Sequence, residues 1–189
     1  MRGRVGRGSE ALVQGLYGYR PSLRAGSFLL PSLTDMPTLS PHDDGDQDFM
    51  QLALEQGRRA LPGCLPNPPV GCVLVKNGRV IASGFTQPPG QYHAEAMALA
   101  CLPEELSSDL SDVTAFVTLE PCSFHGRTPS CATALVARGI GRVVVAALDP
   151  DPRNAGKGID ILQAAGVEVT MGVRQEQALE DLGPYLGKS

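Results

Sequence analysis

Three short segments of this 189-residue chain contain side chains that together suit metal chemistry. The first holds His93 and Glu95, the second holds Cys122, and the third begins at Cys131. One imidazole and two thiolates make a three-ligand set for zinc, and a catalytic site leaves the fourth position to water. Zinc lowers the pKa of that water from 15.7 to about 7, which supplies hydroxide at neutral pH. We therefore predict a catalytic zinc site with His93, Cys122 and Cys131 as ligands.

Such a site also needs a group that carries protons, and Glu95 is the candidate. Residues two apart do not share a helix face. His93 and Glu95 can therefore approach the same metal only if they lie at the start of a helix, where the chain changes direction. Gly90 and Gln91, just before them, suit such a junction. The sequence predicts Glu95 as the general acid and base.

The order of these residues matches the signature of zinc nucleobase deaminases, H-x-E followed by P-C-x-x-C. The spacing differs, because eight residues instead of two separate the cysteines here. Two other interpretations stay open: unrelated surface and core residues, or a structural zinc with His125 as fourth ligand. We favour His125 as a substrate contact. Three further cysteines are expected to pack in the core or on the surface: Cys64, Cys72 and Cys101.

Hydrophobic periodicity predicts which elements must position these side chains. Helices are predicted at 46–60, 93–102, 131–138, 159–165 and 174–185, and strands at 70–75, 80–82, 113–119, 143–148 and 167–171. Asn77-Gly78 between the first two strands is a strong hairpin signal. The later strands alternate with helices, which implies parallel pairing. We predict an α/β fold, a three-layer α/β/α sandwich with a central five-stranded mixed sheet.

Composition disfavours two classes of partner. The net charge is -4 and the sequence pI is near 5.3, so no global basic surface exists for nucleic acid or an anionic membrane. No apolar run approaches the roughly 20 residues of a membrane span. The odd number of cysteines, 5, and the lack of a secretion signal favour reduced thiols in the cytoplasm.

Residues 1–41 differ from the rest of the chain. They are rich in Arg, Gly, Ser and Pro, poor in acidic residues, and show no sustained periodicity. We expect a disordered N-terminal extension, or a start placed too far upstream of Met36. A transit peptide is the alternative, since such peptides are Arg- and Ser-rich. Residues 42–189 are expected to form a single domain.

Five segments, in order, resemble a known family. They are residues 66–73 (PNPPVGCV), 93–95 (HAE), 117–123 (VTLEPCS), 126–131 (GRTPSC) and 149–152 (DPDP). They are similar to the deaminase domain of the riboflavin-pathway diaminohydroxyphosphoribosylaminopyrimidine deaminase. The resemblance covers about residues 46–180 and implies a cytidine deaminase-like fold, zinc as cofactor, and homodimers or homotetramers. Many members carry a C-terminal reductase domain. We expect none in this chain, which leaves a separate reductase as a possible partner.

The resemblance also implies a set of substrate contacts. These candidates are Asn67, Ser123, Phe124, His125, Arg127, Thr128 and Asp151. Arg127 matches a basic position that contacts the ribose phosphate, and a guanidinium fork suits that group. Structural roles remain open, since Asn67 could form a turn and Thr128 could cap a helix. Phe124 and Thr86 stand where the family often has His, and Phe124 could stack or merely pack.

We therefore predict zinc-dependent hydrolytic deamination of the phosphoribosylated diaminopyrimidinone of riboflavin synthesis, with release of ammonia. The departures at Phe124 and Thr86 leave a second enzyme function open. That alternative is deamination of another aminopyrimidine, or of a cytosine-type or guanine-type ring. A nucleic-acid editing deaminase and a zinc-holding scaffold without turnover are further alternatives. The first of these two would need a basic groove that the composition does not favour.

Overall fold

The computed structural model describes residues 43–106, 109–124 and 129–187. The predicted extension 1–41 and the candidates His125, Arg127 and Thr128 lie outside these ranges. The helices are α1 (Asp43–Arg59), α2 (Ala94–Ala100), α3 (Cys131–Ala137), α4 (Lys157–Ala164) and α5 (Gln175–Leu182). The strands are β1 (Gly71–Lys76), β2 (Arg79–Phe85), β3 (Val113–Leu119), β4 (Arg142–Ala147) and β5 (Glu168–Met171). Short 3-10 turns cover Glu104–Leu106 and Gly183–Tyr185.

The five strands form one mixed sheet in the order β2-β1-β3-β4-β5. β1 pairs antiparallel with β2 and with β3, whereas β3, β4 and β5 pair in parallel. The turn between β1 and β2 has positive φ at both central residues, 51° at Asn77 and 70° at Gly78. Positive φ at both positions is typical of the primed hairpin turns that Asn-Gly favours.

Strand residues alternate between two hydrophobic cores, one on each face of the sheet. On β1, Cys72 and Leu74 join one core while Val73 and Val75 join the other. The first core is completed by side chains of α2, α3 and α4, and the second by side chains of α1 and α5. Helices thus cover both faces, which confirms the predicted three-layer sandwich. In the described ranges, no helix has the length and apolar character to cross a membrane.

Several elements differ in extent from the sequence prediction, and the largest differences, of three residues, are at α1, β2 and α5. α1 begins at Asp43 instead of residue 46. β2 continues to Phe85 instead of ending at residue 82, because Ser83 and Gly84 pair with β1 despite being poor strand formers. Gly84 also allows α2 to pack closely, since a Cβ there would lie 2.3 Å from the Ala94 carbonyl oxygen. α5 ends at Leu182, and the last predicted turn is a 3-10 turn instead.

Candidate active site

The first segment of the site lies at the start of α2. His93 is the N-cap residue with an extended backbone, φ -71° and ψ 166°, and Glu95 is the second residue of the helix. The change of direction at the N-cap lets both side chains turn toward the same point. This is the helix-start arrangement that the two-residue spacing requires.

The two cysteines come from the end of β3 and the start of α3. Cys122 follows the strand, and Cys131 is the first helical residue. Ser130 is the N-cap of α3, and its hydroxyl accepts a hydrogen bond of 3.2 Å from the Thr133 amide. The Cys131 amide donates to the Cys122 sulfur at 3.2 Å. The first turn of α3 therefore holds the two sulfurs together.

The structure brings His93, Cys122 and Cys131 into one group. The His93 Nδ1 atom lies 3.4 Å from the Cys131 Sγ and 3.7 Å from the Cys122 Sγ. All three ligand atoms lie within 4.8 Å of one another. Tetrahedral zinc with ordinary Zn–N and Zn–S bonds would place nitrogen and sulfur about 3.6 Å apart, so this donor set fits zinc. No fourth protein ligand joins the group within the described ranges, which suits a catalytic site.

Glu95 is buried beside these donors, with only 4% of its surface exposed. Burial raises the pKa of its carboxyl to about 7, and the nearby Cys122 acts in the same direction. His93 and a hydrogen bond from Cys131 partly oppose that rise. The Cys131 hydrogen bond also lowers the pKa of Cys122, to about 4. A thiolate thus lies beside a carboxyl whose pKa is close to neutral pH.

A cavity of about 550 Å³ opens onto His93, Glu95 and Cys122. Its lining includes three of the predicted substrate contacts: Asn67, Phe124 and Asp151. Ser123 does not line it, because its amide donates to Asn154 Oδ1 at 2.8 Å and its hydroxyl donates to the Arg153 carbonyl. Thr86 does line it, and its hydroxyl accepts a hydrogen bond from the Val70 amide. The other three candidates lie outside the described residues: His125, Arg127 and Thr128.

Arg153 belongs to the same cavity, and the sequence analysis did not identify it. Its guanidinium carbon lies 4.9 Å from the centroid of the Phe124 ring. Its Nε donates to the Asp151 carboxylate at 3.0 and 2.9 Å. This hydrogen bonding holds the pKa of Asp151 at about 2. The available signal was a cation directly after the D-P-D-P segment.

Glu120 is a second residue that the sequence analysis missed. Its carboxylate is 3% exposed and accepts hydrogen bonds from the amides of Asp149, Gly156 and Gly158 at 2.9–3.2 Å. Gly158 also permits a close approach, because a Cβ there would lie 2.0 Å from the Pro121 carbonyl oxygen. Glu120 therefore fastens the segment after β4 to the end of β3. An acidic residue closing a buried strand was the signal.

Comparison with known proteins places this arrangement in context. The profile described as the cytidine and deoxycytidylate deaminase zinc-binding region matches residues 43–147. The riboflavin biosynthesis protein RibD of Actinobacillus pleuropneumoniae is 46% identical over 132 residues, which is 70% of this chain and 34% of that protein. The chain thus spans about a third of the length of such relatives.

Solved structures give the same result. RibD of Acinetobacter baumannii is 45% identical with a TM-score of 0.70, covering 76% of this chain and 39% of that one. A Thermotoga maritima structure, named as a diaminohydroxyphosphoribosylaminopyrimidine deaminase and 5-amino-6-(5-phosphoribosylamino)uracil reductase, is 39% identical. Its TM-score is 0.70, and the match covers 75% of this chain and 40% of that one. This chain therefore belongs to the family described as the cytidine and deoxycytidylate deaminase zinc-binding region.

Proposed function

We propose that this chain hydrolyses the exocyclic amine from a phosphoribosylated diaminopyrimidinone of riboflavin synthesis and releases ammonia. The observation that carries the proposal is the group of one imidazole nitrogen and two sulfurs within 4.8 Å, beside the buried Glu95. Relatives named as riboflavin biosynthesis proteins, 46% and 44% identical, support this choice of substrate.

His93, Cys122 and Cys131 are the proposed zinc ligands, and their donor distances fit that ion. When bound, zinc supplies the Lewis acidity that makes a water molecule nucleophilic near pH 7. Because these ligands lie at the starts of α2 and α3 and beyond the end of β3, the surrounding sheet and helices hold them in place. A site on such rigid elements needs little rearrangement when substrate arrives.

Glu95 is the proposed proton carrier. It takes a proton from the attacking water and delivers it to the ring nitrogen next to the reacting carbon. It then takes the second proton from the hydroxyl now on that carbon and passes it to the departing amine as the carbon–nitrogen bond breaks. Its buried carboxyl has a pKa raised to about 7, so it can both accept and release a proton near neutral pH. Burial also keeps bulk water from competing for that proton.

The cavity supplies the proposed substrate site. A volume of about 550 Å³ lies within the 300–1,000 Å³ typical of small-molecule pockets. Asn67 is the proposed contact for the pyrimidine ring, with Phe124 and Asp151 along the wall. The roles assigned by resemblance to Ser123, His125, Arg127 and Thr128 also stay part of this proposal.

The proposal extends to partners and location. The name of the Thermotoga maritima protein pairs a deaminase with a reductase, so we propose that a reductase consumes the product of this reaction. We also propose that the chain assembles as a homodimer or homotetramer, acts in the cytoplasm, and has no membrane or nucleic-acid partner.

The test is ammonia release by the purified zinc-loaded protein. We expect rapid release from the phosphoribosylated diaminopyrimidinone and little from cytosine, guanine or single-stranded RNA. Zinc-free protein is the control and should be inactive. Preference for a cytosine-type or guanine-type ring would replace the substrate assignment, a possibility raised by Phe124 and Thr86 in the cavity wall. No release from any ring would contradict the enzymatic assignment and leave a zinc-holding scaffold.

A further inference from the structure

The cavity wall is rich in carboxylates. Glu95, Glu120, Asp149 and Asp151 all contribute to it. Arg153 is the only Lys or Arg among the described residues that line the cavity. A ligand with a negative charge would be repelled along most of this wall, and attracted where the guanidinium lies. Among the described residues, Arg153 therefore marks the part of the wall where an anionic group could bind, in addition to the predicted phosphate contact Arg127, which lies outside them.

The guanidinium of Arg153 is held in place from two sides. The Phe124 ring lies beneath it at 4.9 Å, within the range of a cation–π contact. Asp151 accepts hydrogen bonds from its Nε and its Nη2. An arginine has five N–H donors, so the donors on Nη1 stay available, and no described residue accepts from them. The side chain is 59% exposed, so a ligand can reach this edge.

We propose that Arg153, stacked on Phe124 and oriented by Asp151, binds the phosphate of the substrate. This inference rests on the proposed function, because it assigns the phosphomonoester end of that ligand. A planar guanidinium matches phosphate oxygens through parallel, charge-assisted hydrogen bonds. Holding the guanidinium in advance lowers the conformational entropy that binding would otherwise cost.

The two ends of the ligand then fall within one cavity. His93 and Cys122 line the end where the ring reacts, and Arg153 lines the wall formed by the segment after β4. An aminopyrimidine joined through ribose to a phosphate has its reactive carbon and its charge at opposite ends. The phosphate contact would therefore orient the ring toward Glu95.

The kinetic test compares Arg153→Gln with Arg79→Gln, which removes an exposed arginine on β2 outside the cavity lining. For the phosphorylated substrate, we expect Arg153→Gln to raise KM about 10-fold to 100-fold, the range for losing a charged hydrogen bond. The kcat should change less than about twofold, since the contact is not specific to the transition state. Arg153→Lys should lie in between, because an ammonium keeps the charge but loses the fork.

The dephosphorylated riboside separates phosphate binding from a structural effect. All variants should show the same KM for it as the unaltered protein. If Arg153→Gln raised KM equally for both substrates, the proposal would be overturned, because the substitution would then merely disturb the cavity wall. An unchanged KM for the phosphorylated substrate would also overturn it.

A binding measurement makes the test independent of turnover. Ribose 5-phosphate is titrated into each zinc-loaded protein by calorimetry. We expect binding to the unaltered protein and to Arg79→Gln, and at least about 10-fold weaker binding to Arg153→Gln. Equal affinities, or no binding to the unaltered protein, would overturn the assignment. If Arg153 controls this binding while no ring substrate releases ammonia, the phosphate site stands and the proposed reaction fails.

Discussion

The metal end of the cavity and its opposite wall are built in different ways. His93, Glu95 and Cys131 lie at helix starts whose backbones are fixed by the sheet beneath them. The opposite wall is formed by residues 149–156, which connect β4 to α4. Glu120 accepts hydrogen bonds from the Gly156 and Gly158 amides, and Asn154 accepts one from the Ser123 amide. Under the proposed function, the chemistry depends on the ends of helices and strands, whereas ligand preference depends on a connecting segment that is fastened to the end of β3 by Glu120.

The largest effect on activity is expected from removing one of the proposed zinc ligands. Cys131→Ser should lose zinc, and ammonia release should fall to the uncatalysed background, because the donor set drops to two protein ligands. Metal analysis of the purified protein, together with the ammonia assay, measures both changes. Cys101→Ser replaces an exposed cysteine outside the ligand group and should keep its zinc. Full zinc content in Cys131→Ser would remove that cysteine from the ligand set.

Glu95→Gln separates proton transfer from metal binding at the same end. We expect zinc content to be unchanged and kcat to fall about 10² to 10⁴-fold, the usual contribution of a positioned acid–base group. The matched control is Glu105→Gln, an exposed change in the 3-10 turn before β3. Near-normal turnover in Glu95→Gln would refute the assigned role.

Glu120→Gln tests the wall. In this variant, the side-chain amide of the glutamine would replace a carboxylate that accepts hydrogen bonds from three backbone N–H groups. Because the charge is lost and one oxygen becomes a donor, the free energy of unfolding should drop by about 1.5–3 kcal/mol. KM should rise as the wall loosens, while zinc content stays the same. Denaturant titration at a fixed zinc concentration measures the first effect. Glu180→Gln, an exposed change on α5, should leave both quantities unchanged.

The smallest expected effect lies away from both regions. Asp46 on α1 accepts two hydrogen bonds from Arg142 at the start of β4, at 3.0 and 2.6 Å. The metal-binding residues lie near the carboxyl ends of the parallel strands β3 and β4, whereas Arg142 lies at the start of β4. Asp46→Asn should therefore not alter kcat/KM. It should lower the free energy of unfolding by only about 0.5–1 kcal/mol, because the pair is partly exposed. A change in KM would mean that the wall responds to distant packing.

The sequence predicted the features that depend on neighbouring residues. Asn77-Gly78 predicts its hairpin from local backbone preference, and the two-residue spacing of His93 and Glu95 predicts a helix start. Glu120 at the end of a buried strand is a local signal that could have marked it, but its partners are amides 36 and 38 residues further along the chain, so only the structure reveals its role. Arg153 is similar: its place after the D-P-D-P segment is a local signal, but its ring partner lies on another loop.

The extent of β2 shows a further limit of local patterns. Residues 83–84 have poor strand propensity, and the prediction ended the strand before them. In the folded chain their backbone groups pair with β1, and the absence of a side chain at Gly84 lets α2 lie against the strand. Tertiary contact overrides local preference there.

The missing β-carbon at Gly158 has a mechanical consequence. Because the first turn of α4 touches the Pro121 carbonyl without an intervening side chain, the two segments have no room to slide past one another. A bulkier residue at this single position would push α4 away from the Pro121 carbonyl and would shift the segment that carries Arg153 relative to the one that carries Cys122.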